Sequence, residues 1–327
     1  MGAHQSRSRH HIRKEKRLPV NSVSTDSYAS RDANINPMYK VIDGRRYLVS
    51  HNVIYRLPID DTEVDRLHLQ HYTYRYYYGS NYSAPVEELL KNGRARVLDV
   101  GCGAATWLLE MATEYPTSFF TGIDISPMFP TEIKPKNVHF IQRNVIDGLP
   151  FPDETFDFVF MRMMYLSFTA DQWENVIVRE LSRVLKPGGW LELMECDQTL
   201  TDMGPLTADY ADKASGILED WGIPMNLTEM IPDYMDSVGC FEELASETRQ
   251  IPIGTWEGNL SQMYLDNVAA AYQTLRTAVG SKYNISAEKW DEITQEVKRE
   301  INERRCSVQS TRFYAQKKDT GKLMSLE

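Results

Sequence analysis

Two hydrophobic periods alternate along the middle of this chain. Short apolar runs of strand length end in glycine or polar turns: Val97-Leu98-Asp99-Val100, Phe119-Phe120-Thr121-Gly122-Ile123-Asp124 and Val138-His139-Phe140-Ile141. Stretches with the three-to-four-residue spacing of amphipathic helices separate them, as a parallel sheet with crossover helices requires. One helix is well bounded: Thr169-Ala170-Asp171-Gln172 forms a capping box, Trp173, Val176, Ile177, Leu181 and Val184 form a stripe, and Pro187-Gly188 stops it. The pattern also predicts a helix over 61–80, rich in tyrosine, and helices over 260–279 and 286–305. The last of these carries Trp290, Ile293, Val297 and Ile301 on one face. Phe241 to Ile253 and Ser307 to Gln316 supply the last two strands.

Residues 1–45 break this pattern. They are rich in Ser, Asn, Arg and His with few large apolar groups, the composition of a disordered arm, so the folded domain is expected over 46–327. Within it, 61–80 would form a helical lid, and 200–235 and 260–305 helical insertions. Charge sharpens the division. Residues 1–20 hold Arg7, Arg9, Arg13, Lys14, Lys16 and Arg17 against Glu15, a net +5, so the remainder carries −15 of the total −10. An acidic body argues against general nucleic-acid binding. Cys102, Cys196, Cys240 and Cys306 lie far apart without metal-ligand spacing, which fits a reducing compartment. No segment approaches a membrane span.

The chemistry concentrates in Asp99-Val100-Gly101-Cys102-Gly103-Ala104-Ala105-Thr106, a strand that breaks into a glycine turn and then a helix. Gly101 and Gly103 carry no Cβ, so the backbone can turn sharply and a ligand can come close. Nicotinamide and flavin enzymes use a similar loop for pyrophosphate. Two carboxylates argue against that use. Asp99 sits two residues before the first glycine, where a pyrophosphate binder wants no negative charge. Asp124 ends the next apolar run, placed to accept hydrogen bonds from ribose hydroxyls. A cationic ligand with a ribose and no phosphate fits the pair, and S-adenosylmethionine is such a ligand.

From these residues the chain resembles the class I S-adenosylmethionine-dependent methyltransferases. Besides the glycine loop it has Asn144-Val145, Leu149-Pro150-Phe151-Pro152-Asp153-Glu154-Thr155-Phe156-Asp157 and Lys186-Pro187-Gly188-Gly189-Trp190-Leu191-Glu192, in that family's order and spacing. A narrower likeness, to fungal members of the type that includes the velvet-complex regulator of secondary metabolism, rests on Leu57-Pro58-Ile59-Asp60, Asp65-Arg66-Leu67-His68-Leu69-Gln70-His71-Tyr72, Asn81-Tyr82-Ser83-Ala84-Pro85 and Gly254-Thr255-Trp256-Glu257-Gly258. Ala105 departs from the pattern, standing where many members have a third glycine. The resemblance implies a Rossmann-like α/β fold: a seven-stranded, mostly parallel sheet with an antiparallel last strand and helices on both faces. It implies that Asp99, Gly101, Cys102 and Gly103 surround the methionine part of the cofactor. Asp124 would take the ribose, Ile125 would pack on the adenine, and Asn144 and Val145 would hold its edge. Met161 and Arg162 end the fourth strand, at the carboxyl edge where open α/β sheets bind ligands. The methyl acceptor, small molecule or protein, is not legible. The narrower likeness also allows a regulatory protein that acts through complex assembly.

Each residue has a plainer reading beside the functional one. Asp99 can brace the turn, Asn144 can form a turn of its own, and Arg162 can pair with Glu195 or Asp197. The tyrosines Tyr72, Tyr74, Tyr76, Tyr77 and Tyr78 suit core packing better than an aromatic cover over the cofactor. His68 and His71 suit surface or packing positions better than a catalytic base, and no catalytic residue is assigned. The N-terminus, Met1-Gly2-Ala3-His4-Gln5-Ser6, matches the myristoylation pattern at Gly2, with basic residues following. It predicts a cytoplasmic protein loosely associated with membranes. The cluster Arg13-Lys14-Glu15-Lys16-Arg17 offers nuclear import as the alternative.

Overall fold

The first strands arise from a short-range signal inside a polar stretch. The structure, a computed structural model, describes residues 38–50 and 53–319. β1 (Met38–Ile42) and β2 (Arg45–Ser50) pair antiparallel with Ile42 opposite Arg45, around Asp43 (φ 49°) and Gly44 (φ 76°). Two positive φ values are what a two-residue type I′ hairpin needs, and Asp-Gly is among its preferred pairs. β3 (Val53–Pro58) completes a three-stranded sheet in the order β1-β2-β3. Residues 38–45, assigned to a disordered arm on composition, are therefore strand and turn. The Asp-Gly signal between Tyr39, Val41, Tyr47 and Val49 outweighs the polar average. Gly2 and residues 13–17 lie outside the described residues.

α1 (Asp61–Tyr78) starts at Asp60, whose carboxylate accepts from the Glu63 amide at 3.0 Å and from Arg45 at 2.7 Å. It ends at Gly79, in the left-handed conformation that closes a helix. After α2 (Glu87–Lys91) the main sheet begins: β4 (Arg96–Val100), α3 (Thr106–Glu114), β5 (Phe119–Asp124), β6 (Val138–Gln142) and β7 (Phe156–Arg162). The capping box holds as expected, Thr169 and Gln172 bonding each other's backbone at the start of α4 (Ala170–Gln172). The stripe beyond it is not one regular helix. A π turn over Trp173–Ile177 separates α4 from α5 (Val178–Val184). β8 (Leu185–Leu200) takes in the Pro-Gly-Gly motif, with a register shift opposite β7 between Phe156 and Phe158 and Gly188 at φ 74°.

α6 (Pro205–Asp220), α7 (Leu227–Ser237), β9 (Phe241–Pro252), α8 (Asn259–Gln273), α9 (Arg276–Tyr283), α10 (Ala287–Arg304) and β10 (Ser307–Lys317) finish the chain. The seven main strands run in the order β6-β5-β4-β7-β8-β10-β9. β4 to β8 are mutually parallel, and β10 is antiparallel to both neighbours. This is the doubly wound sheet that the sequence predicts. Apolar residues pack in three groups. One joins α5 and α7 to the sheet through Trp173, Leu181 and Ile231; another seats α3 through Trp107, Leu108 and Met111. The third binds α6 and α8–α10 around Trp290, together with Tyr74 and Tyr78 of α1. Strand order reverses between β4 and β7, so the loops at their carboxyl ends diverge and leave a cleft.

Candidate functional site

The cleft is floored by the loop after β4. Gly101 (φ 73°) and Gly103 (φ 52°) occupy backbone conformations that side chains disfavour, and a Cβ on Gly101 would run into the Met164 sulfur. The Gly101 and Cys102 amides both donate to the Ile123 carbonyl, at 2.8 and 3.2 Å, which ties the loop to β5. Ala105, in place of a third glycine, takes φ 61° at the N-cap of α3. It holds that conformation without a side-chain cap, and non-glycine residues there carry about 1 kcal/mol of strain.

Asp124 joins loop and strand. Its Oδ2 accepts from the Gly103 amide at 2.8 Å, and its Oδ1 from the amide and hydroxyl of Ser126, both at 2.8 Å. Burial still raises its pKa, and those hydrogen bonds oppose the rise. An ionised carboxylate has roughly four lone-pair sites, so three donors leave capacity for a ligand hydroxyl. Tyr55 of β3 reaches Ser126 on the same wall. Ile125, Val145 and Ile146 make an adjoining apolar wall, and Asn144 stands beside them. Asn144 also makes the turn of its plainer reading, its Oδ1 accepting from the Ile146 amide at 3.2 Å.

Eight of the sequence-predicted residues therefore line one cleft: Gly101, Cys102, Gly103, Asp124, Ile125, Asn144, Val145 and Arg162. Asp99 and Met161 do not. Both are buried in the strands behind the loop. No donor among the described residues bonds the Asp99 carboxylate, and burial lifts its pKa to about 7, opposed by the nearby positive charge of Arg162. Arg162 is lowered to about 10 by its own burial, with Asp99 opposing, and stays charged near neutrality.

A buried histidine links this pair to the lid. Arg162 Nη2 lies 3.1 Å from His71 Nδ1, and His71 Nε2 lies 2.7 Å from Glu110 of α3. Burial, with Arg162 beside it, pushes the His71 pKa down, so the ring is neutral. Its Nδ1 accepts from Arg162 and its Nε2 donates to Glu110, which also accepts from Arg75 at 2.5 Å. The sequence offered Glu195 or Asp197 as partners for Arg162. Glu195 instead accepts the Met164 amide at 2.7 Å, and the Asp197 side chain lies outside the described residues.

The tyrosines of α1 do not cover the cleft. Tyr72 and Tyr76 are 56% and 70% exposed, while Tyr74 and Tyr78 are buried in the core. Tyr74 bonds Tyr264 at 2.6 Å and Cys196 at 2.8 Å, and Tyr78 donates to the Ser310 carbonyl at 2.8 Å. The helix reaches the cleft through Arg66, Leu67 and Gln70 instead. Glu63 neutralises Arg66 at 2.6 Å, and Asn267 of α8 accepts from it at 3.1 Å. Tyr264, Asn267, Val268, Ala271 and Tyr272 of α8 form the wall opposite the glycine loop. Sequence reasoning missed these residues, along with Tyr55, Arg56 and His71. Their spacing marks only amphipathic segments, and nothing local says that those segments converge here.

A methyltransferase-domain family model matches residues 97–189. Methyltransferase pytC of Aspergillus terreus is 30% identical over 247 residues, covering 72% of this chain and 72% of its own length. The secondary metabolism regulator laeA of Aspergillus flavus is 27% identical over 299 residues, covering 85% of this chain and 77% of its own. N-methyltransferase sirN of Leptosphaeria maculans is 27% identical over 256 residues, covering 76% and 89%.

Proposed function

Since the chain belongs to the class I S-adenosylmethionine-dependent methyltransferases and is similar to the fungal laeA regulators, we propose how its cleft divides the work of methyl transfer. The cofactor supplies an electrophilic methyl on a sulfonium. The residues present fit it: a buried carboxylate with spare acceptor capacity, an apolar slot, and a glycine loop whose missing Cβ atoms leave room. Asp124 accepts from the ribose hydroxyls. Ile125, Val145 and Ile146 pack on the adenine, and Asn144 bonds its edge. Arg162, charged and lining the cleft, attracts the methionine carboxylate. Asp99 acts from behind, holding the guanidinium charge and favouring the ammonium, so it is a positioning residue.

Asp124 carries this reading, because one carboxylate there binds the glycine loop and faces the slot. Methyl transfer is a displacement that needs alignment above all, and the rigid loop and the roof of α1 and α8 supply it while excluding water. Calorimetric titration tests the assignment: micromolar binding of S-adenosylmethionine and its demethylated product, with poor binding of NAD, is expected. Equal binding of NAD would refute it. The likeness to laeA, a secondary metabolism regulator, supports a second reading, that this methyltransferase fold acts in regulation through complex assembly; a stable protein partner with no labelled small molecule would favour it.

The N-terminal reading stands on sequence alone. Gly2 would carry a myristoyl chain, whose membrane partition constant is only about 10⁴ M⁻¹ by itself. The basic residues from Arg7 to Arg17 would add about 1 kcal/mol each near an anionic surface. Fractionation of Gly2→Ala, with intact-mass analysis of the wild-type terminus, tests it. An unmodified terminus on a nuclear protein favours import.

A further inference from the structure

One charge in the lining of the cleft is unusual. Arg56 of β3 has no carboxylate partner among the described residues. Its Nη1 donates to the Leu166 carbonyl at 2.7 Å and its guanidinium lies 4.7 Å from the Trp221 ring centroid, but its Nε is buried with no acceptor. Of the other guanidiniums that line the cleft, Arg66 is paired with Glu63, Arg162 faces the Asp99 charge, and Arg143 is held by the Gly148 and Asp147 carbonyls. No acid among the described residues balances the Arg56 guanidinium, and no hydrogen bond among them takes its Nη2, so its charge is open to an anion in the cleft.

Two more observations limit what that ligand is. Among the described lining residues Asp124 is the one carboxylate and there is no imidazole, so none of them is suited to deprotonate an acceptor. Burial raises the pKa of the lining phenols Tyr165 and Tyr264 and of the Cys196 thiol, so they are poor bases. Beyond Leu200, Val268 and Tyr272 lies a second, smaller cavity that shares those three residues as a wall and is otherwise lined by side chains such as Met203 and Ile301.

We infer that the methyl acceptor is an apolar carboxylic acid, its carboxylate paired with Arg56 and its hydrocarbon part against the Leu200–Val268–Tyr272 wall. This rests on the methyltransferase reading above. The step balances without a base. A carboxylate oxygen forms a bond to the methyl carbon as the carbon–sulfur bond breaks, and its electron pair goes to sulfur. A carboxylate and a sulfonium become a neutral ester and a neutral thioether, and no proton moves. The ester no longer pairs with Arg56, which favours its release.

The test uses the full chain with the demethylated cofactor product bound, titrated calorimetrically with decanoate and with decanamide. Decanoate should bind at least about tenfold more tightly than the amide, since a charge-assisted hydrogen bond is lost with the amide. Arg56→Gln should erase that preference, Arg56→Lys should keep part of it, and Val268→Trp should weaken both ligands. All three variants should bind the cofactor product as the wild type does, which also reports that they fold. No binding of decanoate, equal affinity for acid and amide, or a preference that survives Arg56→Gln overturns the inference. Failure of the wild type to bind the cofactor product would instead sink the methyltransferase reading.

Discussion

At the proposed cofactor end of the cleft, the floor is built from backbone amides, two glycines and one carboxylate, within a short span of chain from Gly101 to Asp124. At the proposed acceptor end the walls come from side chains of β3, α1 and α8, whose sequence separation is illustrated by the Arg66–Asn267 pair, 201 residues apart. The first end is held by the sheet, whose β4 and β5 are nearly fully buried. The second is held by helices that pack on one another. A backbone-built site accepts few changes, because each amide is fixed by the strand it leaves. A side-chain-built wall can be altered residue by residue without disturbing the sheet, so on the proposed reading cofactor binding and acceptor choice are separable.

The sharpest way to break that comparison is at Asp124. Asp124→Ala should weaken S-adenosylmethionine by ten- to hundredfold, the cost of losing charge-assisted hydrogen bonds worth about 1.5–3 kcal/mol. Calorimetry that finds wild-type affinity in a folded Asp124→Ala protein would show that the cofactor end is not built on this carboxylate. His71 tests the join between the two ends. His71→Leu removes the acceptor of Arg162 and the donor to Glu110, and should destabilise the fold by about 1–3 kcal/mol in urea unfolding. A stability within error of the wild type would mean that the lid is held by apolar contacts alone.

Asp99 gives a smaller effect with a definite sign. An unfolded aspartate titrates near 3.9, and burial raises Asp99 to about 7 in the fold. Between those values the folded chain binds more protons than the unfolded one, so this group makes stability fall as pH rises from about 4 to 7. Asp99→Asn should flatten that slope and raise the midpoint of thermal unfolding above pH 7. In the wild type, a cationic ligand favours the ionised form, so cofactor affinity should rise across the same window. A pH-independent affinity in both proteins would remove Asp99 from the site. The smallest change is expected at the exposed face of α1. Tyr72→Ala and Tyr76→Ala should alter cofactor affinity and stability by less than about 0.5 kcal/mol, and a larger loss of affinity would revive the aromatic cover.

Legibility in the sequence follows the same division. The strand-loop-helix unit, Asp124 and the capping box were readable because each depends on residues close together in the chain. The antiparallel last strand came with the family resemblance. The π turn was not readable, since Trp173, Val176 and Ile177 suit a regular helix equally well. His71 lies in a run of polar and aromatic residues with no clean helical stripe, and its role depends on Glu110 and Arg162 arriving from α3 and β7. Arg56 looks like an ordinary strand arginine until the structure shows that no acid among the described residues pairs with it. The Asp43-Gly44 hairpin is a different case. Its signal was local and sufficient, and averaging over a polar stretch hid it.

The place of β10 has a consequence for how the chain is assembled during synthesis. β10 is the latest-made of the seven strands of the main sheet, yet it lies between β8 and β9. Until it emerges from the ribosome, β9 has no ladder partner and β8 has one open edge, so the nascent sheet exposes unpaired backbone on both. Arg312 on β10 also closes over Glu192 and Ser83, joining the last strand to the segment before β4. The domain therefore cannot complete itself from the N-terminus onward. A ribosome stalled before Ser307 would present a five-stranded sheet with a loose sixth strand, a species suited to chaperone capture or to pairing with another nascent chain.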